Sequence, residues 1–121
     1  MNTSCNKIIR IAQFSDCHLY QDKSALHHGA NVFDNLKKVL QALKNIHELD
    51  LLVFTGDLTQ DHSEASYQLF AELVQQFDFN IPIHVVSGNH DDRGHMANYL
   101  SEPLFNHQKR TSFGAWHFGF I

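Results

Sequence analysis

Short apolar stretches recur along the chain and predict β-strands. Residues 7–14 are apolar and rich in β-branched side chains, which favours a strand. Residues 51–55 are a continuous apolar run that ends at Gly56, and residues 83–87 form a third such stretch that ends at Gly88. Continuous apolar runs are typical of parallel strands that are covered on both faces.

Longer stretches between these strands repeat their apolar residues at helical spacing. Residues 31–47 and 63–77 therefore predict amphipathic helices. Asn31 is the predicted N-cap of the first, because its side chain can accept a hydrogen bond from the first turn. A shorter helix is expected over residues 92–100, before the helix-breaking Pro103.

The order strand, helix, strand, helix, strand predicts an α/β fold. Right-handed crossovers would produce a parallel sheet with helices on its faces. Residues 111–121 predict a hairpin that enters a further strand, and the aromatic residues from Trp116 to Phe120 are expected to be sheet core. Because the sequence stops inside this apolar run, we expect residues 1–121 to be the amino-terminal part of a longer domain.

Composition narrows the class of protein. A length of 121 residues indicates one domain, and 43% hydrophobic against 18% charged residues indicates a soluble globular protein. The formal net charge of -4 provides no basic field for nucleic acid. Neither a signal peptide nor a membrane-spanning run is evident, and the 2 cysteines are expected to be reduced thiols of a cytoplasmic protein.

Residues that can bind metal ions follow each predicted strand. The carboxyl ends of neighbouring parallel strands lie about 4.8 Å apart and form the edge at which α/β sheets bind ligands. Carboxylate, imidazole and amide ligands favour manganese, iron or zinc. These residues are Asp16 and His18 after the first strand, Asp57 after the second, and Asn89, His90 and Asp91 after the third.

Asp57, on the middle segment, is the candidate to bridge two metal ions. Ions about 3.5–4 Å apart need a shared carboxylate, and together they clamp a phosphoryl group and lower the pKa of a bridging water towards ~7. A metal-bridging hydroxide could then attack phosphorus without a protein nucleophile. Gly56 and Gly88 allow the tight turns that bring the following residues over the sheet edge.

The ordered set Asp-x-His, Gly-Asp and Gly-Asn-His-Asp resembles the calcineurin-like metallophosphoesterase superfamily. Within it, the chain is most similar to the bacterial class III 3',5'-cyclic-AMP phosphodiesterase group. The similarity extends through residues 18–20, 29–31, 55–61 and 65–67, and so covers nearly the whole chain. It implies that the chain is the βαβαβ portion of a larger α/β sandwich.

The resemblance also implies a role for each motif residue. Asp16 and His18 would bind the first metal ion, Asp57 would bridge, and Asn89 would bind the second. His90 would face the phosphate and assist departure of the leaving group, and Asp91 would orient the His90 ring. The implied substrate is cyclic AMP, contacted by His18, Asn89 and His90; the implied cofactors are two divalent ions, iron or manganese, with zinc as the alternative.

Departures from related patterns separate the subfamilies. Protein phosphatases of this superfamily carry Asp-Arg-Gly where this chain has Leu58-Thr59-Gln60, and purple acid phosphatases carry a metal-binding tyrosine at the position of Gln60. A nuclease branch shares the Gly-Asn-His-Asp motif, so this motif does not separate the chain from that branch. Family members also supply histidine ligands from a later Gly-His-x-His segment. No such segment occurs in these 121 residues, so we expect part of the metal shell to lie outside them.

Several alternatives remain open from the sequence. One alternative is that the whole protein hydrolyses cyclic AMP, or another nucleotide or phosphodiester. Another is that the 121-residue chain is a catalytically inactive fragment. No nucleic-acid or membrane partner is expected, and the oligomeric state is open. Cys17 is either a metal thiolate or a small buried residue, with the second favoured. His27 and His28 either contact a nucleotide or are a solvated pair, with solvation favoured. His84 is expected to be a hydrogen-bonded structural histidine, and Asp61 and Asp92 either support the site or stabilise turns.

Overall fold

The structure, a computed structural model, describes residues 8–89, 91–101, 103–113 and 115–120, with the backbone alone for Phe113. Lys7, Gly114 and Ile121, which belong to the predicted first strand and hairpin, lie outside the described residues, as does His90. The elements are β1 (Ile11–Phe14), β2 (Leu26–His27), β3 (Ala30–Asn31), α1 (Val32–Lys44), β4 (Leu51–Phe54), α2 (Glu64–Phe77), β5 (Ile83–Val85), α3 (Arg93–Tyr99), β6 (Phe105–Asn106), β7 (Arg110–Phe113) and β8 (Trp116–Gly119).

A parallel four-stranded sheet organises the fold, in the order β1-β4-β5-β6, and confirms the predicted α/β class. Each crossover moves one strand further in the same direction. Right-handed connections that advance in one direction leave their helices on a single face. The buried side chains of α1, α2 and α3 accordingly share one core with alternate strand residues, among them Phe14, Leu52, Phe54, Ile83 and Phe105.

The helices begin where the sequence predicts. The side chain of Asn31 accepts a hydrogen bond from the backbone N–H of Asp34 (2.9 Å) and caps α1, as expected. Ser63 caps α2 in the same way. Asp92 caps α3 by accepting from the N–H of His95 (2.9 Å). Among the described helices, none is long and apolar enough to cross a lipid bilayer.

Four strands differ from the prediction. The first strand begins only at Ile11, because pairing with β4 starts at Leu51. The predicted loop before α1 contains the hairpin β2–β3, whose turn residues His28 (φ 51°) and Gly29 (φ 81°) both have the positive φ of a tight two-residue turn. The two-residue strand β6 was not predicted, since it is too short to show a period.

The sheet face opposite the helices is less uniform. Leu51, Val53 and His84 are buried there, whereas Ile11 is 50% exposed. His84 stacks on Phe120 (ring centroids 5.4 Å apart), and its Nδ1 has no hydrogen-bond partner among the described residues, so the expected hydrogen bond of this histidine is not formed at Nδ1. The predicted hairpin is confirmed as β7–β8.

The aromatic residues of the hairpin are not all core. Among the strands that the structure describes, β7 and β8 pair with each other and not with the four-stranded sheet. Trp116 is 55% exposed, which shows that the expectation of sheet core is wrong for this residue. The apolar run therefore predicted the strand correctly, but it could not show which layer the strand joins.

Candidate metal centre

Parallel pairing continues beyond β1 and β4 and brings the first two motifs together. The N–H of Asp16 donates to the carbonyl of Gly56 (2.9 Å), and the N–H of His18 donates to the carbonyl of Asp57 (3.0 Å). The N–H of Leu19 then donates to the carbonyl of Leu58 (2.7 Å). These bonds fix the register of the two loops, so that Asp16 and His18 lie beside Asp57.

The backbone is left-handed at each of these three residues. The φ angles are 59° at Asp16, 47° at His18 and 55° at Asp57. Such angles are uncommon outside glycine, although aspartate and histidine tolerate them better than bulkier residues do. Residues held in this region are over-determined by their surroundings and concentrate at functional sites. In an extended strand these side chains would alternate between the two faces. The left-handed backbone instead directs them towards the carboxyl edge of the sheet.

Asp16, His18 and Asp57 form one cluster of potential ligands. Each offers an atom that lies within 4.8 Å of the atoms from the other two. The Nε2 of His18 is 3.5 Å from Oδ1 of Asp16. Two carboxylates and an imidazole at this spacing fit a divalent ion of intermediate hardness.

Asp16 is held in the charged form that a metal ligand requires. The Ser15 hydroxyl donates to its Oδ2 (2.5 Å) and lowers the pKa of Asp16 below its usual value, against a smaller opposing effect of desolvation. The nearby His18 ring acts in the same direction. The Asp16 side chain is 61% exposed, so the group is accessible from solvent.

Gly56 and Gly88 bring the second and third loops into contact. A Cβ on Gly56 would lie 2.3 Å from the backbone nitrogen of Gly88, and the φ of Gly56 is +103°. A Cβ on Gly88 would lie 2.3 Å from Oδ1 of Asp57. The turn role expected of Gly56 is thus accompanied by a steric one, and Gly88 makes room for the Asp57 carboxylate. Asp57 therefore lies between the first loop and the Gly88–Asn89 segment.

The Asp91 carboxylate joins the same two loops. Its Oδ2 accepts hydrogen bonds from the backbone N–H groups of Gly88 (2.8 Å) and Asp57 (2.8 Å). Its Oδ1 accepts from the N–H of Leu58 (2.8 Å). These bonds hold the bridging candidate Asp57 in position. The expected role of Asp91 in orienting His90 stays a prediction, because His90 lies outside the described residues.

Asn89 is the remaining metal candidate. It is exposed in the turn that follows β5, directly after Gly88. Because Gly88 contacts Asp57, Asn89 is placed on the side of Asp57 that faces the third loop. Its role as ligand of a second ion stays a prediction.

The contacts of Cys17, Asp61 and Asp92 bear on the alternatives that the sequence leaves open. Cys17 is buried in the core and is not in the ligand cluster, and burial raises the pKa of its thiol well above the usual range, so the buried alternative is confirmed. Asp61 accepts from the N–H of Ser63 (3.1 Å), which is a local turn contact, and from the N–H of Gln21 (2.8 Å), which joins it to the loop after the first motif. The Asp92 side chain caps a helix, which is a local role.

Two further residues contact the cluster. Oε1 of Gln60, which was not predicted to belong to the site, lies 2.9 Å from Nδ1 of His18. The ring of His27 is partly buried and stacks on the ring of His18, with centroids 5.0 Å apart and planes 11° from parallel. Solvation of the His27–His28 pair stays a prediction. No periodicity or motif could indicate either contact, since the first depends on pairing between loops and the second on an unpredicted hairpin.

Comparisons with known proteins agree with this geometry. The family model of calcineurin-like phosphoesterases matches residues 9–119. A probable cyclic nucleotide phosphodiesterase of Colwellia psychrerythraea is 40% identical over 111 residues, which are 92% of this chain and 42% of that protein. The 3',5'-cyclic adenosine monophosphate phosphodiesterase CpdA of Escherichia coli is 38% identical over 107 residues, 88% of this chain and 38% of that protein. The chain thus spans about two fifths of the length of these relatives.

Proposed function

The chain belongs to the calcineurin-like phosphoesterase family, and on that premise we propose that the whole protein is a metal-dependent hydrolase of a cyclic nucleotide phosphodiester, with 3',5'-cyclic AMP as substrate. The observation that carries the proposal is the cluster of Asp16, His18 and Asp57 within 4.8 Å at the carboxyl edge of the parallel sheet. The names of the relatives support the substrate class.

In this proposal Asp16 and His18 bind one divalent ion, Asp57 is shared and Asn89 binds the second. Asp57 suits the shared position because it follows the central strand β4 and contacts both flanking loops. Bound iron or manganese ions, with zinc as the alternative, supply Lewis acidity and a hydroxide nucleophile at neutral pH. The free thiol of Cys17 fits a reducing compartment, so the proposal includes a cytoplasmic location.

Residues of the chain are proposed to bind the phosphate and to assist the leaving group. His18, Asn89 and His90 contact the phosphate, and His90 stabilises or protonates the leaving 3'-oxygen. Asp91 fixes the Gly88 loop that leads to His90. A nucleic-acid substrate is disfavoured, because a formal net charge of -4 gives the chain no net positive field to attract a polyanion.

Two protein samples are needed to test the proposed activity and the alternative that the chain is an inactive fragment. One sample is the 121-residue chain, and the other is a chimaera in which this chain continues into the carboxyl-terminal part of the E. coli relative. We expect the chimaera to hydrolyse cyclic AMP with manganese and the chain alone to be inactive. In the chimaera, Asp57→Asn should reduce kcat/KM by about 10³-fold, since it replaces the shared carboxylate with a neutral amide that is a weaker ligand.

Each result of this assay has one interpretation. A folded chimaera without turnover of cyclic AMP or of a chromogenic phosphodiester would overturn the proposed activity. Turnover of the chromogenic diester alone would retain the hydrolase and reject cyclic AMP. An Asp57-dependent rate from the 121-residue chain would reject the inactive-fragment alternative.

A further inference from the structure

We propose that a small basic cavity, between β5, α3 and the segment that joins β6 to β7, binds a phosphate group. The cavity has a volume of about 240 Å³. The described residues that line it are Val85, Ser87, Arg93, Met96, His107 and Lys109. None of them is a proposed metal ligand. The proposal therefore concerns the metal-free protein and does not depend on the proposed function.

The lining combines two permanent positive charges with apolar side chains. Arg93 and Lys109 supply the charges, and the hydroxyl of Ser87 is a further donor. Val85 and Met96 are buried core residues, so they lie at the inner side of the cavity. No aspartate or glutamate occurs among the described lining residues, although the chain has 13 acidic residues against 9 lysines and arginines. The cavity is therefore a local positive site on an acidic chain.

Neither positive charge is neutralised within the described part of the chain. Arg93 and Lys109 form no ion pair with a described residue. The two aspartates that precede Arg93 are directed to backbone donors instead. Asp91 accepts from three backbone N–H groups, and Asp92 accepts from the N–H of His95 (2.9 Å). Two cations in one cavity without acidic partners attract an anion.

Hydrogen bonds hold the segments that carry these charges. The carbonyl of Lys109 accepts from the N–H of Phe120 (2.8 Å). Nε2 of His107 donates to the carbonyl of Leu100 (2.6 Å), because a carbonyl oxygen can only accept. On the opposite side, Arg93 is the first residue of the capped helix α3. The backbone around the cavity is thus already in place, which lowers the entropic cost of binding.

The volume of the cavity restricts the size of the ligand. Pockets that bury a drug-sized molecule measure about 300–1,000 Å³. A cavity of about 240 Å³ therefore takes a small group and not a whole nucleotide. A phosphate group fits, because its oxygens can accept from the guanidinium fork of Arg93 and from the ammonium of Lys109. Its source is either inorganic phosphate or a phosphomonoester such as AMP, whose nucleoside would extend into solvent.

The test follows backbone amide signals of the metal-free, ¹⁵N-labelled 121-residue chain during titration with inorganic phosphate. Ionic strength is held constant with potassium chloride. Arg93→Gln and Lys109→Gln each remove one charge from the cavity. Arg110→Gln and Lys38→Gln make the same changes at exposed positions outside it and serve as matched controls. Circular dichroism spectra check that every variant is folded.

We expect phosphate to shift the amide signals of Ser87, Arg93 and Lys109 in a saturable way, and chloride to leave them unchanged. Each cavity variant should bind phosphate about 10-fold more weakly, since it loses a charge-assisted hydrogen bond. The two controls should bind phosphate as the wild type does. Absence of a saturable shift at these residues would overturn the proposal, as would equal weakening in the control variants.

A parallel titration with AMP distinguishes the two sources of the phosphate group. Tighter binding of AMP than of inorganic phosphate, with shifts at the same amides, would identify a phosphomonoester as the ligand. Equal or weaker binding of AMP would identify the free ion. Both results retain the phosphate site. AMP shifts at these amides that persist unchanged in Arg93→Gln and Lys109→Gln would contradict recognition of its phosphate by this cavity.

Discussion

The helix-covered face of the parallel sheet and its carboxyl edge are built from the same strands in opposite ways. On the face, Phe54 packs against Phe14 and Phe70, with ring centroids 5.1 and 4.9 Å apart, and its backbone is ordinary strand. At the edge, Asp16 and Asp57 are polar, have positive φ and depend on hydrogen bonds between loops. The apolar face contributes to the stability of the fold, whereas the polar edge holds the candidate metal-binding residues.

This contrast shows why the two regions should respond differently to substitution. Removing volume from the face leaves a cavity, and the cost appears in the free energy of unfolding. Replacing a proposed ligand such as Asp16 at the edge changes an exposed group, whose expected contribution to stability depends on bound metal. Groups such as Asp91, which connect edge to backbone, should fall between these limits.

The largest effect on stability is expected for Phe54→Ala. Phe54 is fully buried among aromatic rings, and truncation of such a side chain costs about 3–5 kcal/mol in the free energy of unfolding. Ile11→Ala, on the neighbouring strand but 50% exposed, should cost about 1 kcal/mol, in proportion to the area it buries. Urea unfolding followed by circular dichroism measures both. Equal costs would remove the distinction between the two faces of the sheet.

An intermediate effect is expected for Asp91→Asn. The amide keeps one acceptor oxygen and turns an NH₂ group towards a backbone N–H, so at least one of the three bonds is lost. An unsatisfied donor costs about 1–3 kcal/mol. The neighbouring Asp92→Asn is the matched control, because asparagine caps a helix as well as aspartate does. If both variants unfold at the same urea concentration as the wild type, Asp91 does not join the loops.

The face was predictable because its signal is local. Apolar residues at helical or strand spacing predicted α1, α2, β4 and β5, and Asn31 was identified as a cap from residue type alone. Strand β6 was not predicted because two residues are too few to show the alternation of a strand. The helices share one face for a topological reason, the constant direction of the crossovers, that the residue pattern does not contain.

The edge was only partly predictable. Motif order identified Asp16, His18 and Asp57, and the structure brings them together. The residues that contact them could not be found in the same way. Gln60 contacts His18 through the pairing of two loops distant in sequence, and His27 contacts it through a hairpin whose turn has no common turn sequence. Such contacts depend on three-dimensional register, whereas the proposed ligands keep their chemical type in the sequence.

The smallest effect on stability, and a large one on metal binding, is expected for Asp16→Asn. The side chain is 61% exposed, so the metal-free variant should unfold within about 0.5 kcal/mol of the wild type. Metal binds only the folded state and raises its stability by mass action, so excess Mn²⁺ should raise the Tm of the wild type. That increase should be lost in Asp16→Asn, because an amide oxygen is a weaker ligand than a carboxylate. A metal-free Asp16→Asn that is as destabilised as Asp91→Asn would show that the edge carboxylates maintain the fold as well as the site.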